Sequence, residues 1–472
     1  MLTGIKLRAN PNEAQKQTLS QWMGCARVIW NGKVDEEKYH RTYARKYCAI
    51  GTYPPIDQKA AQFKSQELTP WLSDCPSQIL RNSAVNWYQT YQKFMKGLCG
   101  RPRRKAKTDK GSVYLTRELF NFEHCQDGNI RLFIGTKTNN IGYLSFKTHR
   151  EFEIPNSLYV RKERGQYYVS FCYENGVNET SLSSNAEHLA FLQGAPREFL
   201  EQYTIGIDRG VAIPAQAGEQ SFDFSANQKH HLSKADRYLQ RLQRKLARQQ
   251  KGSNRRTKTK RRISGYHGKK GNVRRDFNHQ TSRALVNSHA KVFVFEALRT
   301  AQMTRRPNAK QDEAGHFLPN KAKQKAGLNK AILHSGWHML ESFTKYKAYQ
   351  AGKAFFKISA SYTSQECAVC GYIHPANRIS QSLFVCGKCG NTDNADHNAS
   401  LVIKKRAITL ILDSGTELSA ADVLTAAADI GRGGKRKAGR VKSSVSSSQR
   451  SVKKEKGATA GCALEARCFS CE

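Results

Sequence analysis

Four cysteines in the C-terminal half of the chain have the spacing of a metal site. They form two C-x2-C pairs separated by fifteen residues, Cys367 with Cys370 and Cys386 with Cys389. Two tight turns at this interval can present four thiolates at tetrahedral angles around zinc, and a glycine directly follows each pair. Surface disulfides and buried apolar cysteines are the alternatives. We predict a structural Zn²⁺ site because isolated structural cysteines have no reason to pair at this interval.

Three acidic residues could bind a different kind of metal. Asp208 ends the short apolar run 203–207, and Glu296 ends the continuous apolar run 292–295. Asp396 lies seven residues beyond the last of the four cysteines, where helix-forming residues resume. A carboxylate at the end of a buried strand is costly unless a positive charge compensates it, and a divalent cation does so. The three acids could together hold two Mg²⁺ ions for in-line attack on a phosphodiester, whereas Asp396 alone would be interpreted as a helix N-cap.

Five short segments contain these residues: GIDRG, FVFEAL, YTSQECAVCG, CGKCG and NADHNAS. In this order they resemble the TnpB family of transposon-encoded RNA-guided nucleases and their relatives, the compact type V CRISPR effectors. The resemblance covers roughly residues 1 to 405 and is most specific from Tyr203 onward. It implies an RNase H-like (RuvC) nuclease domain with a zinc ribbon inserted before the third acid. It also implies that Asp208, Glu296 and Asp396 are the catalytic acids and that the four cysteines are the zinc ligands.

Two positions depart from the family pattern. Arg209 stands where the family usually has an apolar residue, and Ala395 precedes the third acid where an arginine is common. Neither change removes an acid, so we expect an active nuclease.

The composition of the 472-residue chain indicates a polyanionic partner. It has 78 Lys and Arg against 38 Asp and Glu, a formal charge of +40. An imbalance of this size destabilises the compact state by self-repulsion unless a polyanion such as nucleic acid neutralises it. No apolar run approaches the roughly 20 residues of a membrane span, and the N-terminus lacks a signal peptide's apolar core. We therefore expect a cytoplasmic protein without a membrane partner, and thirteen cysteines, an odd number, favour a reducing compartment.

The N-terminal part predicts β structure interrupted by helices. The run 2–8 and the alternating runs between 113 and 174 are strand-like, whereas apolar residues recur at helical spacing after Asn10 and again after Pro76. This pattern alone supports a β module with a helical insertion. The resemblance extends it to a wedge-type β-barrel formed by 1–10 and 112–180, with a helical recognition domain at 11–111.

Two basic segments are candidates for nucleic-acid contact. The segment 101–107 has five cations in seven residues, and 229–275 has eighteen basic residues and one acid. A solvated helix would normally mix charge signs, so we expect the second segment to lie along an RNA or RNA–DNA backbone, while the first could instead be a solvated linker. The predicted nucleic-acid-binding residues are Arg101, Arg103, Arg104, Lys105, Arg237, Arg241, Arg244, Lys245 and Arg248.

The remaining boundaries complete an α/β fold with separate β and α modules. We predict a linker at 181–200, the nuclease domain at 201–360 and 391–410, and the zinc ribbon at 361–390. A basic tail, 411–472, is predicted to be disordered because its Gly-, Ser- and Lys-rich composition cannot bury enough apolar surface.

The predicted function is RNA-guided DNA cleavage. A transposon-derived guide RNA would pair with the target DNA, the N-terminal modules would recognise an adjacent DNA motif, and the three acids would hold two Mg²⁺ ions. Two alternatives stay open. One is a guide-dependent DNA-binding protein that does not cut, and the other is a metal nuclease that needs no guide. The sequence does not indicate an oligomeric state.

Overall fold

A computed structural model of the chain describes residues 2–47, 57–107, 110–124, 130–146, 148, 151–174, 176 and 183–426. The chain divides into two compact units, with the boundary between Asn178 and Glu179. The predicted β and helical modules at the N-terminus therefore belong to one unit.

The first unit combines antiparallel strands with helices. Its described strands are β1 (Leu2–Ala9), β2 (Gly111–Thr116), β3 (Phe120–His124), β4 (Ile130–Gly135), β5 (Asn140–Ser145), β6 (Ser157–Glu163) and β7 (Gln166–Glu174). Its helices are α1 (Glu13–Tyr39), α2 (Arg45–Tyr47) and α3 (Ser77–Met95). The strands form a four-stranded sheet in the order β1-β7-β6-β2 and a three-stranded sheet in the order β3-β4-β5. A bridge between Ala9 and Phe146 connects the two sheets.

Local sequence accounts for these elements. The side chain of Asn12 accepts a hydrogen bond from the backbone of Gln15 and caps α1. The β6–β7 hairpin turns at Arg164 and Gly165, both with positive φ, as its tight two-residue connection requires. The apolar faces of α1 and α3 pack on the strands in one hydrophobic core that includes Trp22 and Ile29. The helical spacing in the sequence had predicted this packing.

The second unit is built around a five-stranded sheet. Its described strands are β8 (Thr204–Asp208), β9 (Ala215–Ala217), β10 (Gln220–Phe222), β11 (Val292–Glu296), β12 (Lys310–Gln311), β13 (Phe317–Leu318), β14 (Ala354–Ile358), β15 (Leu383–Val385), β16 (Thr392–Asn394), β17 (Thr416–Leu418) and β18 (Leu424–Ala426). The helices are α4 (Asn185–Gln193), α5 (Arg197–Tyr203), α6 (Ala226–Arg248), α7 (Asn254–Asn287), α8 (Thr300–Met303), α9 (Ala322–Ser335), α10 (Trp337–Gln350) and α11 (Ala395–Leu412).

The main sheet has the strand order β10-β9-β8-β11-β14. Strands β8, β11 and β14 run parallel, while β9 and β10 are antiparallel additions at one edge. Helix α11 with α4 and α5 covers one face, and α7 with α10 covers the other. Because both faces are buried, β11 is a continuous apolar run up to Glu296 rather than an alternating one.

Helix α11 lies very close to the central strands. A Cβ built on Gly206 of β8 would lie 2.2 Å from the carbonyl oxygen of Ser400 and 2.6 Å from the backbone nitrogen of Lys404. A residue with a side chain at position 206 would push this helix away from the sheet. The glycine is therefore required by the approach of α11, which begins with Asp396 in its first turn.

Several predicted boundaries are wrong. The predicted linker 181–200 instead contains α4 and α5, whose residues Leu189, Leu192 and Leu200 are buried in the core. Its Asn- and Ser-containing stretch is a helix cap, because Ser184 and Glu187 form a capping box. The predicted tail also starts too early, since α11 continues to Leu412 and Leu424 of β18 is buried. The rest of the predicted tail, 427–472, lies outside the described residues.

The stretch that follows the second basic segment also differs in detail. The apolar residues from Leu328 to Tyr346 have the spacing of one continuous helix, but α9 ends and α10 begins at Gly336, which has a φ of 76°. The left-handed conformation of this glycine breaks the helix without steric cost. Among the helices in the described ranges, none is both long and apolar enough to cross a membrane.

Candidate functional site

The three predicted acids lie where the parallel strands β8 and β11 of the main sheet end. Asp208 ends β8 and Glu296 ends β11, and these parallel strands end side by side. Asp396 is in the first turn of α11, which packs across β8. A Cβ placed on Gly210, two residues beyond Asp208, would be 3.4 Å from a carboxylate oxygen of Asp396. Residues separated by 188 positions in the chain are thus brought together by two strand ends and one helix start.

Asp396 is not the N-cap of its helix. The side chain of Asn394 occupies that role, accepting hydrogen bonds from the backbone nitrogens of Asp396 at 2.9 Å and His397 at 3.2 Å. The Asp396 carboxylate is therefore not used in capping. It is buried, at 7% exposure, as is Glu296, at 6%.

Burial raises the pKa of all three acids, and the charges of the other two add to this effect at Asp208. The pKa of Asp208 is raised to about 8, mainly by burial and then by the charges of Glu296 and Asp396. Burial also raises the pKa of Glu296 and of Asp396. The site therefore holds more negative charge than its own protein surroundings compensate, which is the electrostatic condition that a bound cation relieves.

Two residues between the third strand of the parallel set and α11 contact these acids. The hydroxyl of Thr363 donates a short hydrogen bond to the Glu296 carboxylate. The guanidinium of Arg378 donates one to the Asp396 carboxylate at 3.3 Å. Both contacts lower the pKa of the acid that they reach. Neither residue was singled out from the sequence, where no spacing or periodicity linked it to an acid.

The four predicted cysteines converge in a separate cluster. Their sulfur atoms all lie within 4.8 Å of one another, with Cys367 3.7 Å from Cys389 and Cys370 3.6 Å from Cys386. A tetrahedral zinc ion with Zn–S bonds of about 2.3 Å requires sulfur separations of about 3.8 Å. These are free thiols, and their sulfur atoms are much farther apart than those of a disulfide bond. The cluster fits a structural metal and excludes the disulfide alternative for these cysteines.

The turns around the cluster have the expected geometry. Gly371 and Gly390 have φ angles of 73° and 71°, as predicted for the residues that follow each pair. The pKa of Cys386 is lowered to about 6, chiefly because the backbone of Cys389 donates a hydrogen bond to its sulfur. A low pKa favours the thiolate that binds metal.

Helix α11 also holds the first cysteine turn. The amide of Asn398 accepts a hydrogen bond from the backbone of Ala368 and donates one to the carbonyl of Glu366. Arg406, two turns further along, binds the Glu366 carboxylate through two nitrogens. The helix that carries the third acid is therefore fastened directly to the four-cysteine module. Among the described residues, that cysteine cluster is the one group of at least three possible ligands within 4.8 Å, a spacing that the three carboxylates do not meet.

The two basic segments differ in how their charges are arranged. The five chosen cations on α6 are all exposed: Arg237, Arg241, Arg244, Lys245 and Arg248. The buried stripe of this helix is Leu232, Ala235 and Leu239, whereas Tyr238 is exposed and stacks on Tyr266 of α7.

In the first basic segment, most of the chosen cations contact α1. Arg101 pairs with the buried Glu37 at 3.0 Å, and Arg104 pairs with Asp35 at 2.7 Å. The Lys105 ammonium lies 3.6 Å from the ring centre of Trp30. Arg103 is exposed and holds the segment through its carbonyl oxygen, which accepts from Trp30. The segment is thus an ordered strap on α1 and not a solvated linker.

Comparison with known proteins identifies three matching family models. "Probable transposase" (OrfB_IS605) matches residues 170–306, "Cas12f1-like, TNB domain" matches 337–403, and "Helix-turn-helix domain" (HTH_OrfB_IS605) matches 1–42. The first match contains Asp208 and Glu296, and the second contains Asp396 and the four cysteines. In this chain the third match corresponds to β1 and α1.

Individual proteins match over long ranges. The chain is 27% identical over 400 residues to the Escherichia coli (strain K12) protein named "Putative RNA-guided DNA endonuclease InsQ", covering 84% of this chain and 90% of that protein. It is 36% identical over 129 residues to the "CRISPR-associated endodeoxyribonuclease Cas12f1" of Sulfoacidibacillus thermotolerans, 27% of this chain and 26% of that protein. The solved structure of a Cas12f1-sgRNA-target DNA complex aligns at 12% identity and a TM-score of 0.48, covering 86% of this chain and 98% of that one.

The family matches cover residues 1–42, 170–306 and 337–403, and the E. coli relative matches over 90% of its own length. The chain is similar to the TnpB family, which is related to the compact type V effectors.

Proposed function

We propose that this protein is an RNA-guided DNA endonuclease that cleaves phosphodiester bonds at a site formed by Asp208, Glu296 and Asp396. The observation that carries the proposal is the convergence of these carboxylates, since the charges of Glu296 and Asp396 raise the pKa of Asp208. Relatives named as RNA-guided DNA endonucleases support the same activity.

The architecture of the second unit supports an RNase H-like, RuvC-type nuclease domain. Three parallel strands with two antiparallel edge strands bring acids from β8 and β11 to one edge, and α11 adds the third. The domain would comprise 201–360 and 391–410, interrupted by the four-cysteine insert at 361–390. In the first unit, 1–10 and 112–180 would form a wedge-type β-barrel, and the helical recognition domain, 11–111, would be inserted between these two segments.

The donor atoms at the acid site suit a hard divalent cation. All three acids offer carboxylate oxygens, and their burial leaves a negative charge that Mg²⁺ would compensate. Two ions about 3.5–4 Å apart need ligands on opposite sides, so the carboxylates of a two-ion site are spread more widely than the ligands of a single ion. When bound, such ions supply the charge stabilisation required for phosphodiester hydrolysis.

The protein's own residues would orient this site. Thr363 donates a hydrogen bond that fixes one carboxylate oxygen of Glu296. Arg378 forms an ion pair with Asp396 and so compensates part of the site's negative charge. The zinc ion proposed for the four-cysteine cluster would stabilise the insert that contains both residues. Metal binding in the insert and the arrangement of the acids are therefore connected.

Guide RNA and target DNA are the proposed partners. A formal charge of +40 requires a polyanion, and the exposed cations of α6 offer a surface for a nucleic-acid backbone. Because such contacts are made to phosphates, they would recognise the shape of a guide–target duplex and not its sequence. The proposed location is the cytoplasm, in association with DNA during cleavage.

The test begins with the RNA that copurifies with the full-length protein. We expect a discrete RNA whose sequence defines the DNA that is cut, and ribonuclease treatment should abolish cleavage. Cleavage that continues after complete removal of RNA would instead show a guide-independent nuclease.

A variant of one acid separates cleavage from binding. Asp208→Ala should retain guide-dependent DNA binding and lose cleavage, whereas Asp413→Ala, which removes an exposed acid at the far end of α11, should cut normally. If the wild-type protein with its guide binds DNA and leaves it intact in Mg²⁺, the chain is a guide-dependent binding protein and the proposal is wrong.

A further inference from the structure

A buried charge cluster lies on the opposite face of the sheet from the three acids. The side chain of Arg209, next in sequence to Asp208, is 1% exposed and pairs with Glu341 of α10 at 2.6 Å. Lys357 of β14 pairs with the same carboxylate at 3.3 Å. Successive side chains of a strand point to opposite faces of the sheet. Asp208 and Arg209, at the end of β8, therefore direct their charges to opposite faces.

The face on which Arg209 lies follows from the neighbouring cores. Ile207 packs with Phe295 in the core beneath α7 and α10, and the Arg209 guanidinium lies 5.3 Å from the ring centre of Phe295. Val294, in contrast, is part of the core beneath α11. Glu296 follows the alternation of Val294 and is therefore on the acid side, opposite the guanidinium.

Arg209 connects β8 to the backbone of Glu296. The parallel ladder between these strands ends at the pair Phe295 and Ile207, so Glu296 and Asp208 are not paired in it. One nitrogen of the Arg209 guanidinium donates a short hydrogen bond to the Glu296 carbonyl oxygen, which also accepts one from the backbone nitrogen of Leu298. Another guanidinium nitrogen bonds to Glu341 and, at 3.5 Å, to the carbonyl oxygen of Trp337. The arginine thus holds the end of β11 on the side where its pairing with β8 stops, while its pairing with β14 continues through Glu296.

Stability alone does not explain such a cluster. Removing a guanidinium and a carboxylate from water is expensive, and replacing a buried ion pair with apolar residues is often neutral or stabilising. The Arg209 Nε is also buried without a hydrogen-bond partner among the residues described. The planar guanidinium, however, bonds a backbone carbonyl and a carboxylate from separate nitrogens in a fixed relative orientation, whereas an apolar residue bonds neither and lysine offers only one flexible charged group.

We propose that Arg209 is a positioning residue for Glu296, held in place by Glu341, and that it sets the geometry with which the acid site binds divalent metal. This inference rests on the proposed function, because it assigns Arg209 to the same carboxylate site. Arg209 touches neither metal nor nucleic acid in this role. It acts through the backbone of β11.

The experiment removes both charges of the pair while preserving their volume. In the full-length Arg209→Met/Glu341→Gln protein, the amide oxygen introduced at position 341 can still accept from Lys357, so that lysine keeps a hydrogen-bond partner. Metal binding is measured without nucleic acid, as the rise in melting temperature during titration with MgCl₂. Guide-dependent DNA cleavage is measured in parallel. The control, Asp236→Asn/Lys270→Met, removes another ion pair of the second unit, between α6 and α7.

If Arg209 positions Glu296, the double variant should fold with a melting temperature near that of the wild type. It should need at least about tenfold more Mg²⁺ to reach the midpoint of the temperature rise, the scale on which partners of metal ligands act. The control should keep the wild-type midpoint. An unchanged midpoint and cleavage rate in the double variant would show that the pair is only structural and would overturn the inference.

Arg209→Lys provides a second test that does not depend on the double variant folding. Lysine keeps the positive charge beside Glu341 but lacks the rigid planar fork that fixes the Glu296 carbonyl relative to that carboxylate. We expect it to raise the Mg²⁺ midpoint, and a wild-type midpoint would contradict the proposal. If the wild-type protein itself shows neither a Mg²⁺-dependent rise nor cleavage, the proposed function fails and the inference fails with it.

Discussion

Arg378 of the four-cysteine insert reaches Asp396 in the first turn of α11, with 3.3 Å between the guanidinium and the carboxylate. The insert also provides Thr363, which donates to Glu296, while Asn398 and Arg406 of α11 hold the first cysteine turn. Contacts therefore run in both directions between the metal cluster and the acids. The insert is part of the support of the acid site and not only an appended module.

Loss of the cysteine cluster should reduce cleavage as well as metal content. Cys386→Ser should lower bound zinc, measured by elemental analysis, and reduce the cleavage rate by about tenfold or more, because Arg378 and Thr363 would lose their fixed positions. Cys172→Ser, an exposed cysteine of the first unit, is the control and should retain both properties. Normal cleavage by a zinc-free Cys386→Ser protein would show that the acids do not need the insert.

Neutralising one acid should stabilise the metal-free protein. Asp208→Asn removes a carboxylate whose pKa is raised by burial and by two neighbouring acids, so the melting temperature in EDTA at pH 8 should rise. A gain of about 1 kcal/mol would correspond to roughly 2–4 °C. The variant should also lose the temperature rise that Mg²⁺ produces in the wild type. A lower melting temperature in EDTA would contradict repulsion among the acids.

The stability of the metal-free protein should depend on pH in the same sense. Asp208 has a pKa of about 8 in the folded protein and an ordinary value of 3.8 when unfolded. Between these values the folded state binds more protons than the unfolded state, so the free energy of unfolding should fall as pH rises. Chemical denaturation in EDTA at pH 5, 6, 7 and 8 measures this slope. Its Asp208 contribution should be absent from Asp208→Asn, and equal slopes in both proteins would refute the assignment.

Adding a methyl group at Gly206 should separate α11 from the sheet. The new Cβ would meet backbone atoms of Ser400 and Lys404, which cannot rotate away, so Gly206→Ala should cost about 1–3 kcal/mol of stability or more. Gly271→Ala is the matched control, because that helical glycine has no atom within 4 Å of the added Cβ. It should stabilise α7 by about 0.5–1 kcal/mol. Denaturant unfolding of both variants checks the difference.

The strap at 101–107 should contain cations with different roles. Arg103→Ala removes an exposed charge and should lower RNA affinity, reducing the slope of log affinity against log salt by about 1. Lys105→Met should instead lower stability by about 0.5–1 kcal/mol, because the ammonium contacts the ring of Trp30. Filter binding at several salt concentrations, together with melting temperatures, distinguishes the two. Equal effects of both variants on the salt slope would contradict this division.

The amino-acid sequence by itself determined the chemistry available to the protein. The C-x2-C spacing predicted the four-cysteine cluster, because the two turns that build it are local structures set by a few consecutive residues. The apolar runs before Asp208 and Glu296 predicted buried strands for a similar reason. The net charge pointed to nucleic acid without any knowledge of the fold.

Local sequence patterns also gave wrong predictions of secondary structure at two places. The stretch 181–200 was interpreted as a linker from its polar residues, although Ser184 caps a helix whose leucines are buried. Its true state depends on apolar surface elsewhere that those leucines cover. Gly336 likewise divides a helical pattern that is continuous in its apolar spacing.

Only the tertiary structure decided which side chains surround the acids. Arg209 was noticed as a departure from the family pattern, but its contacts with Glu341 and the Glu296 carbonyl depend on how α10 packs beneath the sheet. Thr363 and Arg378 reach the acids from an insert whose path no periodicity encodes. The physical reason is that turns and strands are set by neighbours in sequence, whereas the environment of a buried charge is assembled from residues far apart in the chain.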